Sequence, residues 1–161
     1  EKFLPSVIEP SFGMGRILYA LLEHSFYVPE DNKEAVVMRF SPNVAPVKCA
    51  VFNLQSNGDF MPVVRQIAAS LTAAGMSNKT DTSGQSIGKR YARTDEVGTP
   101  YGVTVDFDTL KDSTVTLRER DSQSQLRVPI ADVPALITGL VKGWTTWNDA
   151  GAKYPAVERQ A

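Results

Sequence analysis

VKCAVFNL at residues 47–54, followed by FMPVVRQIAASLTAAG at residues 60–75, decides the fold of this chain. In the first segment apolar side chains occupy both odd and even positions, through Val47, Cys49, Val51 and Ala50, Phe52, Leu54. A strand that is apolar on both faces is one covered on both faces, which places it in the middle of a sheet. In the second segment Val63, Val64, Ile67, Ala68, Leu71 and Ala74 recur at helical spacing, and Gly75 supplies the stop. Residues 55–59 form the turn between them.

The pattern continues outward from this pair. Residues 77–82 suit a short, polar edge strand, and Ser83-Gly84 leads into a helix over residues 86–96 that Gly98 ends. Residues 101–107 (YGVTVDF) alternate, with Val103, Val105 and Phe107 on one side and Thr104 and Asp106 on the other. Residues 114–121 and 125–130 also alternate, joined by the hairpin loop Asp121-Ser122-Gln123-Ser124. Asp132 then caps a last helix whose inner face carries Val133, Leu136, Ile137, Leu140 and Val141, before a tail with Trp144 and Trp147. The order from Val47 is β-α-β-α-β-β-β-α. Helical crossovers demand parallel pairing and the late hairpin demands antiparallel pairing. The expected fold is therefore α/β, with a mixed sheet of about five strands flanked by helices.

Upstream, residues 6–9 suggest a short strand confined between Pro5 and Pro10, and ILYALLEHSFY places Ile17, Leu18, Leu21, Leu22, Ser25 and Phe26 at helical spacing. Residues 29–34 (PEDNKE) are a polar breaker, and VVMRF at residues 36–40 is too short to assign. The expected division is residues 1–28 as one strand-helix unit, 29–44 as a linker and 45–161 as the α/β domain. The chain starts at Glu1 without Met or a signal-peptide pattern, and reads as a piece of something longer.

Composition limits the chemistry. Lys and Arg number 17 against 18 Asp and Glu, a net charge of −1, so any basic surface is local. One Cys and one His exclude a disulfide framework and argue against a zinc site. No apolar run approaches the roughly 18 residues that span a bilayer. His24 lies among apolar residues of a helix, Cys49 inside the central strand, and Asp106 with Asp108 on one strand face, without companions for catalysis. Two segments remain. Ser11-Phe12-Gly13-Met14-Gly15-Arg16 lies between the strand and helix, where glycines and a helix N-terminus suit a phosphate and Arg16 adds a guanidinium. A turn needing glycine for its backbone angles explains the same residues. Lys89-Arg90-Tyr91-Ala92-Arg93 gathers three cations and an aromatic on a helix, and Arg118, Arg120 and Arg127 lie on the late hairpin. Such a face, with the aromatic Phe107 nearby, suits single-stranded RNA. A solvated face neutralised by Asp95, Glu96, Glu119 and Asp121 is the competing account.

VIEPSFGMGRILYALLEHSF (residues 7–26) resembles the third signature motif of class II aminoacyl-tRNA synthetases, in the form carried by the glycyl-tRNA synthetase family. FMPVVRQIAASLTAAG, SIGKRYARTDEVGTPYGVTVDFDTL and TVTLRERDS resemble that family's C-terminal anticodon-binding domain. The resemblance implies that Arg16 contacts ATP phosphates and that Glu9 and Ser11 line a glycine pocket. It implies Lys89, Arg90, Arg93, Phe107 and Arg120 as anticodon contacts on tRNA(Gly), whose second and third anticodon bases are cytosines. Where related enzymes carry Arg at position 89, Lys89 lacks the bidentate fork. ATP and Mg2+ are the implied cofactors of the parent enzyme, a cytoplasmic or also mitochondrial homodimer. The chain alone is expected to be monomeric, without bound cofactor and inactive in aminoacylation. The alternative from another class is a protein-interaction module that shares the fold without binding RNA. An independent nucleotide-binding enzyme would need a complete phosphate loop, which this sequence lacks.

Overall fold

The computed structural model describes residues 2–30, 32–55 and 58–157. Ser56 and Asn57 of the expected 55–59 turn lie outside them. The chain opens with residues in no regular element and then forms α1 (Met14–Ser25), β1 (Phe26–Tyr27) and β2 (Val37–Met38). β1 and β2 pair antiparallel, Phe26 opposite Met38 and Tyr27 opposite Val37. β3 (Cys49–Asn53), α2 (Phe60–Ala73), β4 (Asn78–Asp81), α3 (Ile87–Glu96) and β5 (Tyr101–Val105) follow. The one-turn α4 (Thr109–Asp112), β6 (Thr114–Glu119), β7 (Gln125–Pro129), a 3-10 turn, α5 (Val133–Lys142) and α6 (Trp147–Lys153) complete it.

The five-stranded sheet has the order β4-β3-β5-β6-β7. β3 pairs parallel with both β4 and β5, while β5-β6 and β6-β7 are antiparallel. This is the mixed sheet that the crossover and hairpin signals require. All five residues of β3 are buried, as its two-sided apolar composition demands.

Register sorts the side chains into two unlike faces. Cys49, Val51, Val103, Val105, Val115, Leu117, Leu126 and Val128 line one face and form a closed apolar core with Phe60, Val64, Ile67 and Leu71 of α2 and Val133, Ile137 and Leu140 of α5. On the other face Phe52, Gly102, Thr104, Thr116, Arg118 and Arg127 stand in register, and α3 covers part of them. Gly102 is required there: a Cβ would come within 3.0 Å of the Phe52 ring, which meets Tyr91 of α3 edge-on at 5.2 Å.

Four expectations need correction. Residues 6–9 are exposed and form no strand, since nothing among the described residues lies alongside to complete their backbone hydrogen bonds. Phe107 does not extend the alternation of Val103 and Val105. β5 ends at Val105, and Phe107 projects from the turn beyond it. Asp132 occupies the N-cap of α5 without a side-chain cap bond, its carboxylate accepting instead from the Tyr154 hydroxyl at 2.8 Å. The Trp tail is a helix. A capping box of Thr146 and Asp149 starts α6, and Trp147 stacks on Tyr101 at 6.4 Å.

Candidate nucleic-acid interface

The C-terminal ends of parallel strands at a reversal of strand order open a crevice, the usual ligand position in such sheets. Here β3 is that point, with β4 to one side and β5 to the other. The helix that follows β4 into the crevice is α3. Its sequence IGKRYARTDE turns Arg90, Tyr91, Thr94 and Asp95 inward and leaves Lys89, Ala92, Arg93 and Glu96 exposed. The cation cluster seen in the sequence is therefore divided between the two sides of one helix.

Arg90 takes the inner side. It is 2 % exposed, and its guanidinium donates to Asn53 Oδ1 at 3.1 Å, the Asp81 carbonyl at 3.1 Å and the Leu54 carbonyl at 3.2 Å. It thus braces the ends of β3 and β4 against α3. Arg93 lies outside, its Nη1 3.6 Å from Asp81 Oδ2. Burial pushes the Asp81 carboxyl upward, but hydrogen bonds from Ser83 and the charges of Arg90 and Arg93 outweigh it, leaving the group below its ordinary value.

Arg120, expected to read a base, is 4 % exposed. Its guanidinium donates to the carbonyls of Met38, Gly98 and Phe40 and to both oxygens of Asp121. Arg90 and Arg120 thus lie near the crevice and the hairpin but are turned inward, held largely by backbone carbonyls, with Arg90 Nε alone left without a partner in the two guanidiniums.

The remaining hairpin arginines are also engaged. Arg118 holds Asp95 through two hydrogen bonds of 2.9 and 2.8 Å, beneath the Tyr91 ring at 4.8 Å. Burial raises the Asp95 carboxyl above its usual range against the pull of Arg118. Arg127 binds Asp106 with both terminal nitrogens. Burial raises the Asp106 carboxyl, yet the bonds from Arg127 and Thr109 prevail and hold it low. Asp106 also accepts from the amide and hydroxyl of Thr109, each at 3.0 Å, so the turn carrying Phe107 is fixed. Phe107 is 45 % exposed and leans edge-on against Phe60 with centroids 5.1 Å apart. It is an aromatic on a rigid turn rather than a core residue.

Beside α3, over β6 and β7, a groove of about 710 Å³ runs between the helix and the segment carrying Pro29, Asn32 and residues 34–37, with Arg118 and Gln125 among its lining and Lys89 and Arg93 at its helical wall. Lys89, Arg93 and Phe107 are the predicted contacts that solvent reaches. Sequence reasoning missed the inward pairing of Arg118 with Asp95. The spacing of Arg90, Thr94 and Asp95 opposite Lys89, Arg93 and Glu96 was the signal that separates the two sides of this helix.

At the other end of the chain, Arg16 is exposed in the first turn of α1, whose N-cap is Gly13. Neither Gly13 nor Gly15 has a positive φ, and a Cβ at Gly15 would meet nothing within 4 Å. Backbone angles do not explain these glycines; open space above the helix start is what they leave. Glu9 and Ser11 are exposed beside it. Cys49 is buried with its thiol pushed up to about 12, which makes it inert at neutral pH. Among the described residues no group of three His, Cys, Asp or Glu is arranged to hold a metal ion, and no helix is long and apolar enough to cross a membrane.

A family model described as the anticodon binding domain matches residues 48–140. The chain is 52 % identical to a glycine–tRNA ligase of Bombyx mori over 99 % of its length, and 48 % identical to one of Drosophila melanogaster over 99 %. A glycine–tRNA ligase of Methanothrix thermoacetophila is 43 % identical over 94 %. The chain spans about a fifth to a quarter of these relatives, 22 %, 21 % and 26 % of their lengths. In structure it is similar to a prolyl-tRNA synthetase from Cryptosporidium parvum, with a TM-score of 0.62 over 66 % of this chain and 23 % of that one, at 20 % identity. That likeness establishes the fold. The sequence matches favour RNA recognition over the protein-interaction alternative.

Proposed function

The chain belongs to the anticodon binding domain family, and from that premise we propose that it serves a glycine–tRNA ligase as the part that recognises the anticodon of tRNA(Gly). The observation that carries this reading is the 52 % identity to such a ligase across 99 % of the chain. The exposed side of α3 supplies the contacts. Lys89 and Arg93 meet backbone phosphates, and Phe107 on its fixed turn offers a ring for a splayed base. Arg90 acts from below, holding the crevice in shape without touching the RNA.

In the whole ligase, residues 1–28 belong to the catalytic unit, 29–44 to a linker and 45–161 to the anticodon-binding unit. Arg16 holds ATP phosphates over the open start of α1. Glu9 pairs with the ammonium of glycine, and Ser11 closes the pocket against a larger amino acid, since an added methyl there is sterically costly. Mg2+ bound with ATP would add charge neutralisation at the phosphates that Arg16 contacts. The ligase is a homodimer of the cytoplasm, with a mitochondrial form as well. One of the similar yeast proteins is named as mitochondrial.

The test is a titration of the chain with a tRNA(Gly) anticodon stem-loop and with one whose two cytosines are replaced by guanines. Tighter binding to the first is expected, with strong salt dependence. Lys89→Ala and Arg93→Ala should each reduce the slope of log affinity against log salt by about 0.7, the value for one single-strand phosphate contact. Equal binding of both loops, or no binding by the folded chain at low salt, would overturn the reading.

A further inference from the structure

Every N–H of the Arg120 guanidinium is engaged. A guanidinium has five N–H donors. Here Nε and one Nη2 proton go to Asp121 Oδ1 and Oδ2 at 2.8 and 2.9 Å, Nη1 donates to Met38 O at 3.1 Å and Gly98 O at 3.0 Å, and Nη2 also reaches Phe40 O at 3.0 Å. The residue's own amide donates to Pro100 O at 3.0 Å. Three separate parts of the chain therefore converge on one side chain: the end of β6, the turn just past α3, and the segment through β2.

Gly98 completes the junction. Its φ of +83° favours glycine, and a Cβ there would lie 2.4 Å from Phe40 Cδ2 and 2.9 Å from Met38 O. Phe40 is thus seated against the backbone that ends α3. The β2 segment is in turn tied to α1. The Arg39 amide donates to Ser25 O at 2.6 Å, and β1, directly after α1, pairs with β2. The Arg39 guanidinium lies 3.4 Å over the Tyr27 ring and its Nε 3.6 Å from Asp121 Oδ1. Ser25 is the one buried residue of α1, so this junction is what orients the helix against the five-stranded unit.

We propose that Arg120 is a positioning residue for the ligase reaction. It fixes the angle between α1, which carries Arg16, and α3, which carries the RNA contacts, and so sets where RNA held on α3 delivers its acceptor end. The inference rests on the proposed function above. Its magnitude follows from leverage. Arg16 lies nine residues from Ser25, about 14 Å along a helix that rises 1.5 Å per residue. A tilt of about 10° at the junction then displaces the two sites by about 2 Å, and misplacement of about 1 Å is enough to lose about a hundredfold in rate. The donor count explains why arginine stands here: lysine has three donors and no planar fork.

The experiment uses the intact ligase into which the functional reading places this chain, with Arg120→Gln, Arg120→Lys and Phe40→Ala. Phe40→Ala loosens the junction without touching β6, so the test survives if the Arg120 variants fail to fold. Glycine-dependent exchange of pyrophosphate into ATP, which needs no RNA, should stay within about twofold for Phe40→Ala. The turnover for charging tRNA(Gly) should fall about tenfold or more, with the KM for RNA nearly constant, and Arg120→Lys should not rescue it. A rise in KM alone would make Arg120 an RNA contact, and recovery by lysine would make it a simple charge. Either result overturns the inference, as does unchanged charging by Phe40→Ala. Failure of the unsubstituted ligase to charge tRNA(Gly) would instead overturn the functional reading beneath it.

Discussion

The two faces of the five-stranded sheet are held by different physics. Under α2 and α5 the contacts are aliphatic and non-directional, from Val51 and Val103 to Ile67 and Ile137. Under α3 the same strands carry Thr104, Thr116, Arg118 and Arg127, satisfied by Tyr91, Asp95 and Asp106. Apolar packing depends on volume, so it accepts several side chains of similar size. A buried guanidinium has no such latitude, because each N–H needs an acceptor at a defined place. The apolar face makes the sheet stable, and the charged face fixes where α3 lies upon it. The surface that presents Lys89 and Arg93 is thus positioned by directional bonds rather than by fit alone.

Removing one member of a buried pair tests this most sharply. Arg118→Met leaves Asp95 without its two-pronged partner and should destabilise the fold by about 4 kcal/mol in denaturant titration, whereas adding Asp95→Leu should recover most of the loss. A single-variant loss below about 1 kcal/mol would reduce the Arg118–Asp95 pair to the worth of a surface ion pair and leave the charged face no directional hold on α3. On the apolar face Ile67→Ala should cost about 3 kcal/mol through lost burial and a residual cavity, with α3 protection in hydrogen exchange unchanged. Loss of α3 protection in that variant would show the faces to be coupled.

The third effect is smaller and depends on pH. The Asp106 carboxyl is held below its ordinary 3.8 in the folded chain. Its contribution is therefore fully present above that value and is lost as pH falls through the lowered one. Asp95 is shifted the other way and works against the fold as pH rises through its raised value. Asp106→Asn should lower the melting temperature at neutral pH and flatten its fall as pH drops below the ordinary 3.8. An unchanged acid limb would remove Asp106 from the set of groups that secure the charged face.

The hydrophobic face was readable residue by residue, since period 2 in strands and period 3.6 in helices are geometric consequences of the backbone. The inner sides of α2 and α5 and the parallel placement of β3 followed directly. The charged face was legible only as a collection of arginines. Helical spacing separates the side of Arg90 from that of Lys89, but which side is enclosed depends on acceptors such as Asn53, 37 residues earlier. Nor does the alternation in residues 101–107 reveal that Asp106 is recruited by Arg127, which ends β5 early and turns Phe107 outward.

Sequence by itself determined the order of strands and long helices from β3 to α5, the mixed sheet and the apolar core, all of which rest on periodicity along the chain. The family rests on sequence motifs and identity instead. Only the tertiary structure decided which cations are free to meet a phosphate and which are enclosed as braces. That choice depends on where carbonyls and carboxylates from distant segments come to lie, and a guanidinium placed among them is held by bonds that no local pattern contains.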